Sequence, residues 1–409
     1  MELEKWQIDR ARWIDESCAM LATHPLPSRR VDLRSYGIRA FLGLIAAVSL
    51  CGCGNHFATD PYLTQPSGAI VPDEPNAPRA LFMFEGSTGR SLGWADVMAA
   101  ASAADAIFIG ERHDDPTGHA VQLAVYSDLL AGYPGTAIAL EHLERNEQVI
   151  INRYLAGEVS VTEFIDSTKS RDWAGEGSWV RFFQPLVDEA MENDAPVVGA
   201  NAPRSYVRRA RDEGRAALEA LPPEERANFD LPITTVAGWG NGDWNSEWQA
   251  YNARFRAYMA QEGEDPDTGD ARVRLDTGFL SQSTWDGTMG ASVARALDAG
   301  APKVVLCAGC FHIEHVGGTV LQFRARRPHA RVLTITVIDS TSSHLRDEDR
   351  NAADVVMYGF PVSRKAESEA KAEVPATPST PQTPPDATTP PVETSAPVSP
   401  DAPITPTKE

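Results

Sequence analysis

Short, unbroken apolar runs alternate with segments of helical period through the middle of the chain. Ala106-Ile107-Phe108-Ile109, Ala137-Ile138-Ala139-Leu140, Val197-Val198-Gly199-Ala200, Val304-Val305-Leu306-Cys307 and Arg331 to Ile338 read as strands. They are apolar almost throughout rather than alternating, as strands covered on both faces are. Asp115 to Leu130 reads as a helix, and further helical stretches separate the strands. The pattern predicts an α/β domain over residues 79–364, with a largely parallel sheet and helices on both faces.

Both ends break the pattern. Arg29, Arg30, Arg34 and Arg39 precede an apolar run from Phe41 to Leu50. At about ten residues it is too short to span a bilayer as a helix. It ends in Leu50-Cys51-Gly52-Cys53, which is similar to a bacterial lipobox. Residues 1–53 therefore read as a leader, with lipidation at Cys53 anchoring an exported chain to the bacterial cell envelope. Ser28-Arg29-Arg30 is similar to a twin-arginine signal, although Asp32 interrupts the apolar follow-on. Residues 54–78 form a Pro-rich linker. Residues 365–409 are Pro, Thr, Ser, Ala and acid, too poor in large apolar groups to fold, and predict a disordered tail.

The net charge is −20, and the domain has no Lys/Arg-dense patch. Nucleic acid is thereby excluded as a partner, since phosphate neutralisation needs clustered positive charge. Five cysteines at these spacings make no disulfide framework. Cys307-Ala308-Gly309-Cys310 is a C-x-x-C that lacks the helix start of a redox motif. Coincidence, or a disulfide between its two cysteines, accounts for it.

Ligands of such folds sit beyond the carboxyl ends of the strands. Three predicted strands deliver chemistry there. One runs into Gly110-Glu111-Arg112-His113, another into Glu141-His142, and a third into Gly309-Cys310-Phe311-His312. The glycines are expected to permit a sharp exit that aims the side chains inward. Glu111, His113, Glu141 and His312 form a mixed nitrogen and oxygen set, costly to bury unless paired or metal-bound. It suits Zn, Mn, Fe or Co, or acid–base work without metal. His142 and His315 read first as surface or capping residues, with His315 on a helix face, and as the alternative each supports a site residue from behind. Asn201 reads as a helix cap, with Pro203 in the first turn and Arg204 after it.

Gly110-Glu111-x-His113-Asp114, Leu140-Glu141, Gly199-Ala200-Asn201-Ala202-Pro203-Arg204, Trp285-Asp286-x-x-Met289 and Gly309-x-x-His312 stand in this order. The set resembles the ChaN-like haem-binding uptake lipoproteins of the Tiki superfamily, and extends from Ala104 to Ile338. The resemblance implies haem binding in iron uptake. As the alternative, it implies metal-dependent hydrolysis of a peptide or small substrate through Tiki-type proteases, while the related erythromycin-esterase-type enzymes use His and Glu for hydrolysis. It assigns His113, Glu141 and His312 to the site, with Glu111 beside them and Mn, Co or Zn as the ion. Phe183-Gln184-Pro185 departs from the Tyr-x-Pro of many relatives. A cofacial haem pair would need a homodimer.

Trp244, Trp248, Tyr251, Phe255 and Tyr258 make one aromatic stripe at helical spacing, with Trp239 upstream. It reads first as a face packed on the core. For a haem binder it would be an apolar wall, with Tyr251 or Tyr258 near iron and Arg204 near a propionate.

Overall fold

The computed structural model describes residues 78–236, 244–261 and 263–359. The leader, the lipobox, the linker through residue 77, Trp239 and the Pro/Thr-rich tail lie outside the described residues. Among those described, eight strands form one sheet. They are β1 (Phe82–Glu85), β2 (Ser91–Leu92), β3 (Ala106–Glu111), β4 (Ala137–Glu144), β5 (Val197–Asn201), β6 (Val304–Gly309), β7 (Val332–Asp339) and β8 (Val355–Gly359). The order across the sheet is β2-β1-β8-β7-β3-β6-β4-β5. The pairs from β8 through to β5 are parallel, and β1 joins β8 and β2 antiparallel. All five strands read from the apolar runs are present. The other three were not anticipated. Two are short, and β8 is a five-residue apolar run, Val355-Val356-Met357-Tyr358-Gly359, close to the tail.

The helices are α1 (Trp94–Ala103), α2 (Pro116–Gly132), α3 (Gln148–Leu155), α4 (Val161–Thr168), α5 (Gln184–Glu192), α6 (Arg204–Glu213), α7 (Arg215–Glu219), α8 (Pro223–Arg226), α9 (Trp244–Met259), α10 (Gly269–Asp298) and α11 (Gly318–Arg326). Helix α2 starts where the sequence places it. The Asp115 side chain accepts from the Thr117 amide, and Pro116 needs no donor at that position.

Side chains alternate along each strand, so every central strand feeds two cores. Ile107, Ile109, Ile138, Leu140, Val305 and Cys307 face α1, α2, α4 and α5. Ala106, Phe108, Ala137, Ala139, Val304, Leu306 and Ala308 face α10 and α11, where Met289, Val293, Val320 and Phe323 meet them. At the β5 edge, the Gln148 amide stands in for a neighbouring strand. It donates to the Val197 carbonyl (2.8 Å) and accepts from the Gly199 amide (3.0 Å). That meets backbone groups an edge strand otherwise leaves open.

Candidate functional site

The same alternation decides where the polar strand-end residues go. Glu111 follows Ile109 by two positions and shares its face, towards α2. His142 follows Leu140 by two and lies on that side as well. Glu141 follows Ala139 and points to the α10/α11 side. The pairing of β4 with β5 shifts register between Leu140 and Glu144, the kind of irregularity that re-aims side chains at a sheet rim. The four-residue set foreseen from sequence is thus divided by the sheet into two groups.

Glu111 is the centre of the α2-side group. It is 1% exposed. Its Oε1 accepts from His113 Nδ1 at 2.7 Å and from His142 Nε2 at 2.8 Å. Its Oε2 accepts from the Gln122 amide, with His119 Nδ1 at 3.7 Å. Burial alone would raise this carboxyl. The neighbouring His142 and His119, together with the hydrogen bonds from His113 and His142, outweigh burial and hold it well below the usual carboxylate range. An ionised acceptor requires both imidazoles to donate, which settles which nitrogen of each carries hydrogen. His119 closes the network, with one ring nitrogen at the Gln122 amide oxygen (2.9 Å) and the other at the His113 carbonyl (3.0 Å). Aromatic rings enclose the group. His142 stacks on Phe183 at 3.7 Å, and the edge of Trp173 meets both His142 and His113.

Glu141 and His312 form the other group. Glu141 Oε2 accepts the Gly309 amide at 2.7 Å, and Oε1 lies 3.8 Å from His312 Nε2. Burial opposes its ionisation, but His312, His113 and His142 and the Gly309 amide keep its carboxyl below the ordinary value. His312 donates from Nδ1 to Asp286 Oδ1 at 2.7 Å. Asp286 is fully buried and also accepts from Thr319 Oγ1 (2.8 Å) and from the Tyr251 hydroxyl (2.6 Å). Burial lowers the His312 imidazole, yet the Asp286 and Glu141 charges raise it on balance. Gly318 is what lets these groups converge. A Cβ there would overlap the Asp286 carboxylate and the Tyr251 ring.

The two groups meet at Gly309. A Cβ at this position would lie 3.0 Å from His113 Nε2 and 3.6 Å from Glu141 Oε2. The glycine therefore provides room, not an unusual turn. Its φ is −51°, and Gly110 is not among the residues of positive φ. The expected sharp glycine exit is corrected accordingly. Both Gly-x-x-His imidazoles are built alike. Each gives Nδ1 to a buried carboxylate, Glu111 or Asp286; His312 then has Nε2 at 3.8 Å from Glu141, whereas His113 Nε2 faces Gly309 on the side that Glu141 also flanks. His312 Nε2 has in addition only a long contact with the Gln282 amide, at 3.5 Å. A carboxylate on one ring nitrogen fixes the tautomer and makes the other a stronger donor to a metal. Glu111, His113 and His142 also place donor atoms within 4.8 Å of one another. There, however, the carboxylate oxygens already accept N–H groups, so Glu111 acts as an anchor for the two imidazoles.

Several other expectations change. His142 is buried at 3% exposure and belongs to the Glu111 network, not to the surface. His315 lies in a turn with φ 51°, not on a helix face. Asn201 does not cap α6, whose N-cap is Pro203. Its amide instead donates to the Glu141 carbonyl at 3.0 Å. Cys307 is a free, buried thiol, so no bridge joins it to Cys310. Trp248, Tyr251 and Phe255 pack with Leu275, Phe279 and Leu321 as a core cluster. The Tyr251 hydroxyl is committed to Asp286, and burial and that carboxylate push its phenol well above the usual range. Tyr258 is half-buried beside Phe311 at 5.8 Å. Arg204 is half-buried at the same sheet edge, where its amide donates to Glu144 at 3.1 Å. Asp286, His119, Gln122, Gln282 and Thr319 were not singled out as site residues. Only Asp286 carried a signal, through its Trp285-Asp286-x-x-Met289 motif.

A family described as "Haem-binding uptake, Tiki superfamily, ChaN" matches residues 97–323. No curated protein matches the chain. Among solved structures, ChaN of Campylobacter jejuni with cofacial haem is similar at 16% identity, with a TM-score of 0.49, over 68% of this chain and 96% of that one. The type III effector HopBA1 is similar at 14% identity and a TM-score of 0.37, over 70% and 99%. An erythromycin esterase mutant, EreC, in its open conformation is similar at 13% identity and a TM-score of 0.33, over 68% and 83%.

Proposed function

The chain belongs to the haem-binding uptake family of the Tiki superfamily that includes ChaN, and on that premise we propose that it binds haem at the carboxyl edge of the sheet. The observation that supports this at the level of residues is the pair of carboxylate-backed imidazoles, His113 on Glu111 and His312 on Asp286. Histidine is a common axial ligand of haem iron. The donor chemistry therefore fits the group, with His312 or His113 as the residue that would hold the iron and Phe311 and Tyr258 as nearby apolar surface. Bound there, haem would supply an iron centre for storage or transfer. The protein's own part is to hold each imidazole in one tautomer and to keep bulk water from the buried carboxylates. Titration of the purified chain with hemin should produce a saturable Soret band, and its absence would sink the haem reading.

A second reading has its own support. Glu141 lies 3.8 Å from His312 Nε2 and flanks Gly309 together with His113, so His113, Glu141 and His312 stand at one edge as a two-histidine, one-carboxylate set of the type that takes Mn, Co, Zn or Fe, although among the described residues only Glu111, His113 and His142 bring donor atoms within 4.8 Å of one another. Such an ion would serve metal-dependent hydrolysis of a peptide or small substrate. Metal analysis of the same sample separates the readings: stoichiometric Mn, Co or Zn without a Soret band favours the hydrolase.

We further propose that the chain is exported and lipid-anchored through Cys53, for a role in haem or iron uptake at the envelope, and that any cofacial haem pair is held by a homodimer. Cys53→Ser should move the protein from the membrane fraction to the soluble one. Unchanged partitioning would remove the anchor.

A further inference from the structure

We propose that helix α9 is the element that positions His312, through Arg254 and Tyr251. The inference does not depend on which ligand the site takes. The turn that follows His312 is strained. His315 and Val316 stand consecutively at φ 51° and 59°, a region that L-residues avoid and β-branched valine most of all. Such a conformation persists only where its surroundings over-determine it. The side-chain bonds to the carbonyls of this turn come from α9. The Arg254 guanidinium donates to the Glu314 carbonyl at 3.2 Å and to the His315 carbonyl as well, so one planar fork holds both peptides of the turn. Other bonds to the turn run from Glu314 N to the Cys310 carbonyl (2.7 Å), from His315 N to the Ala352 carbonyl (2.8 Å), from Gly317 N to the Ile313 carbonyl (3.0 Å) and from Thr336 Oγ1 to the Glu314 carboxylate (2.5 Å).

One helical turn before Arg254, Tyr251 donates to Asp286, the carboxylate that orients the His312 ring. The residue just before His312 is held from the same side. Phe311 packs on Tyr251 at 5.5 Å, on Tyr258 at 5.8 Å and on Phe255 at 6.4 Å. Helix α9 thus touches the side chain before His312, the carboxylate beside it and the two carbonyls behind it. A shift of α9 away from α10 and α11 would displace all of them together. Arg254 and Tyr251 are positioning residues; neither need meet the ligand.

Amide hydrogen exchange and the His312 ring resonance, read on the ligand-free full chain, test this. Arg254→Ala should speed exchange of amides 313–318 by about tenfold and shift or broaden the His312 ring signal, while β6 amides keep their protection. Arg254→Lys, a point donor that cannot bridge two carbonyls, should restore only part of the protection. Tyr251→Phe should disturb the ring signal more than the turn. Arg256→Ala is the control, because that guanidinium pairs with Asp267 and Asp276 away from the turn. Unchanged exchange at 313–318 in Arg254→Ala overturns the proposal, as does an equal effect from Arg256→Ala. If the alanine variant does not fold, Arg254→Lys decides, and wild-type exchange in that variant overturns it. A missing Soret band would leave these readouts untouched.

Discussion

Glu111→Ala should destabilise the fold by about 3–5 kcal/mol at neutral pH, read as a fall in urea midpoint. Glu111 is a buried carboxylate whose oxygens receive His113, His142 and Gln122, with His119 beside them. Removing it strands several donors and any charge on the imidazoles in a buried site, and the other side-chain acceptor of the network, the Gln122 amide oxygen, already faces His119. The pH dependence has a definite sign. The folded carboxyl titrates well below its ordinary value of 4.5. Its contribution is therefore present above pH 4.5 and is lost as pH falls through the folded value. The penalty of Glu111→Ala should shrink in acid. A loss under about 1 kcal/mol at neutral pH would show that the fold does not depend on the Glu111 network.

The double variant His113→Ala/His312→Ala should abolish the Soret band or, under the second reading, the bound metal, while the far-ultraviolet circular dichroism stays native. Each imidazole is held by a carboxylate at Nδ1, so losing both removes the two Nε2 donors of the pair. Asp286→Asn is the graded companion. It keeps the shape but weakens the hold on His312 Nδ1, and loss of such a supporting carboxylate costs affinity by about 10–100-fold. The stability effect of this pair has the opposite pH sense from that of Glu111. The His312 imidazole is raised above its ordinary 6.5. Its contribution is full below pH 6.5 and is lost as pH rises through the folded value. Asp286→Asn should accordingly matter most in mild acid. Wild-type affinity in the double variant would take these histidines out of the site.

Much of this was legible in the residues themselves. Short unbroken apolar runs such as Ala106–Ile109 and Val304–Cys307, alternating with segments of helical period, read as strands buried on both faces, and a largely parallel sheet with two helical layers follows from that alternation. The two Gly-x-x-His motifs and Glu141 stood at the ends of those runs, which located the edge where chemistry belongs. The aromatic spacing on α9 announced a packed face, and Trp248, Tyr251 and Phe255 do pack.

What the residues could not determine was partnership. His142 sits next to Glu141 in the chain but bonds to Glu111, because neighbours on a strand face opposite ways. Asp286 lies 26 positions from His312 and reaches it only because α10 crosses the sheet and Gly318 leaves space. Gln122 and His119 come from one turn of α2, whose approach to β3 no periodicity specifies. Local preference is written in a few adjacent residues and survives in the sequence. Hydrogen-bond partners brought from distant elements depend on how layers stack and how closely backbones approach, and those distances exist only in the folded chain.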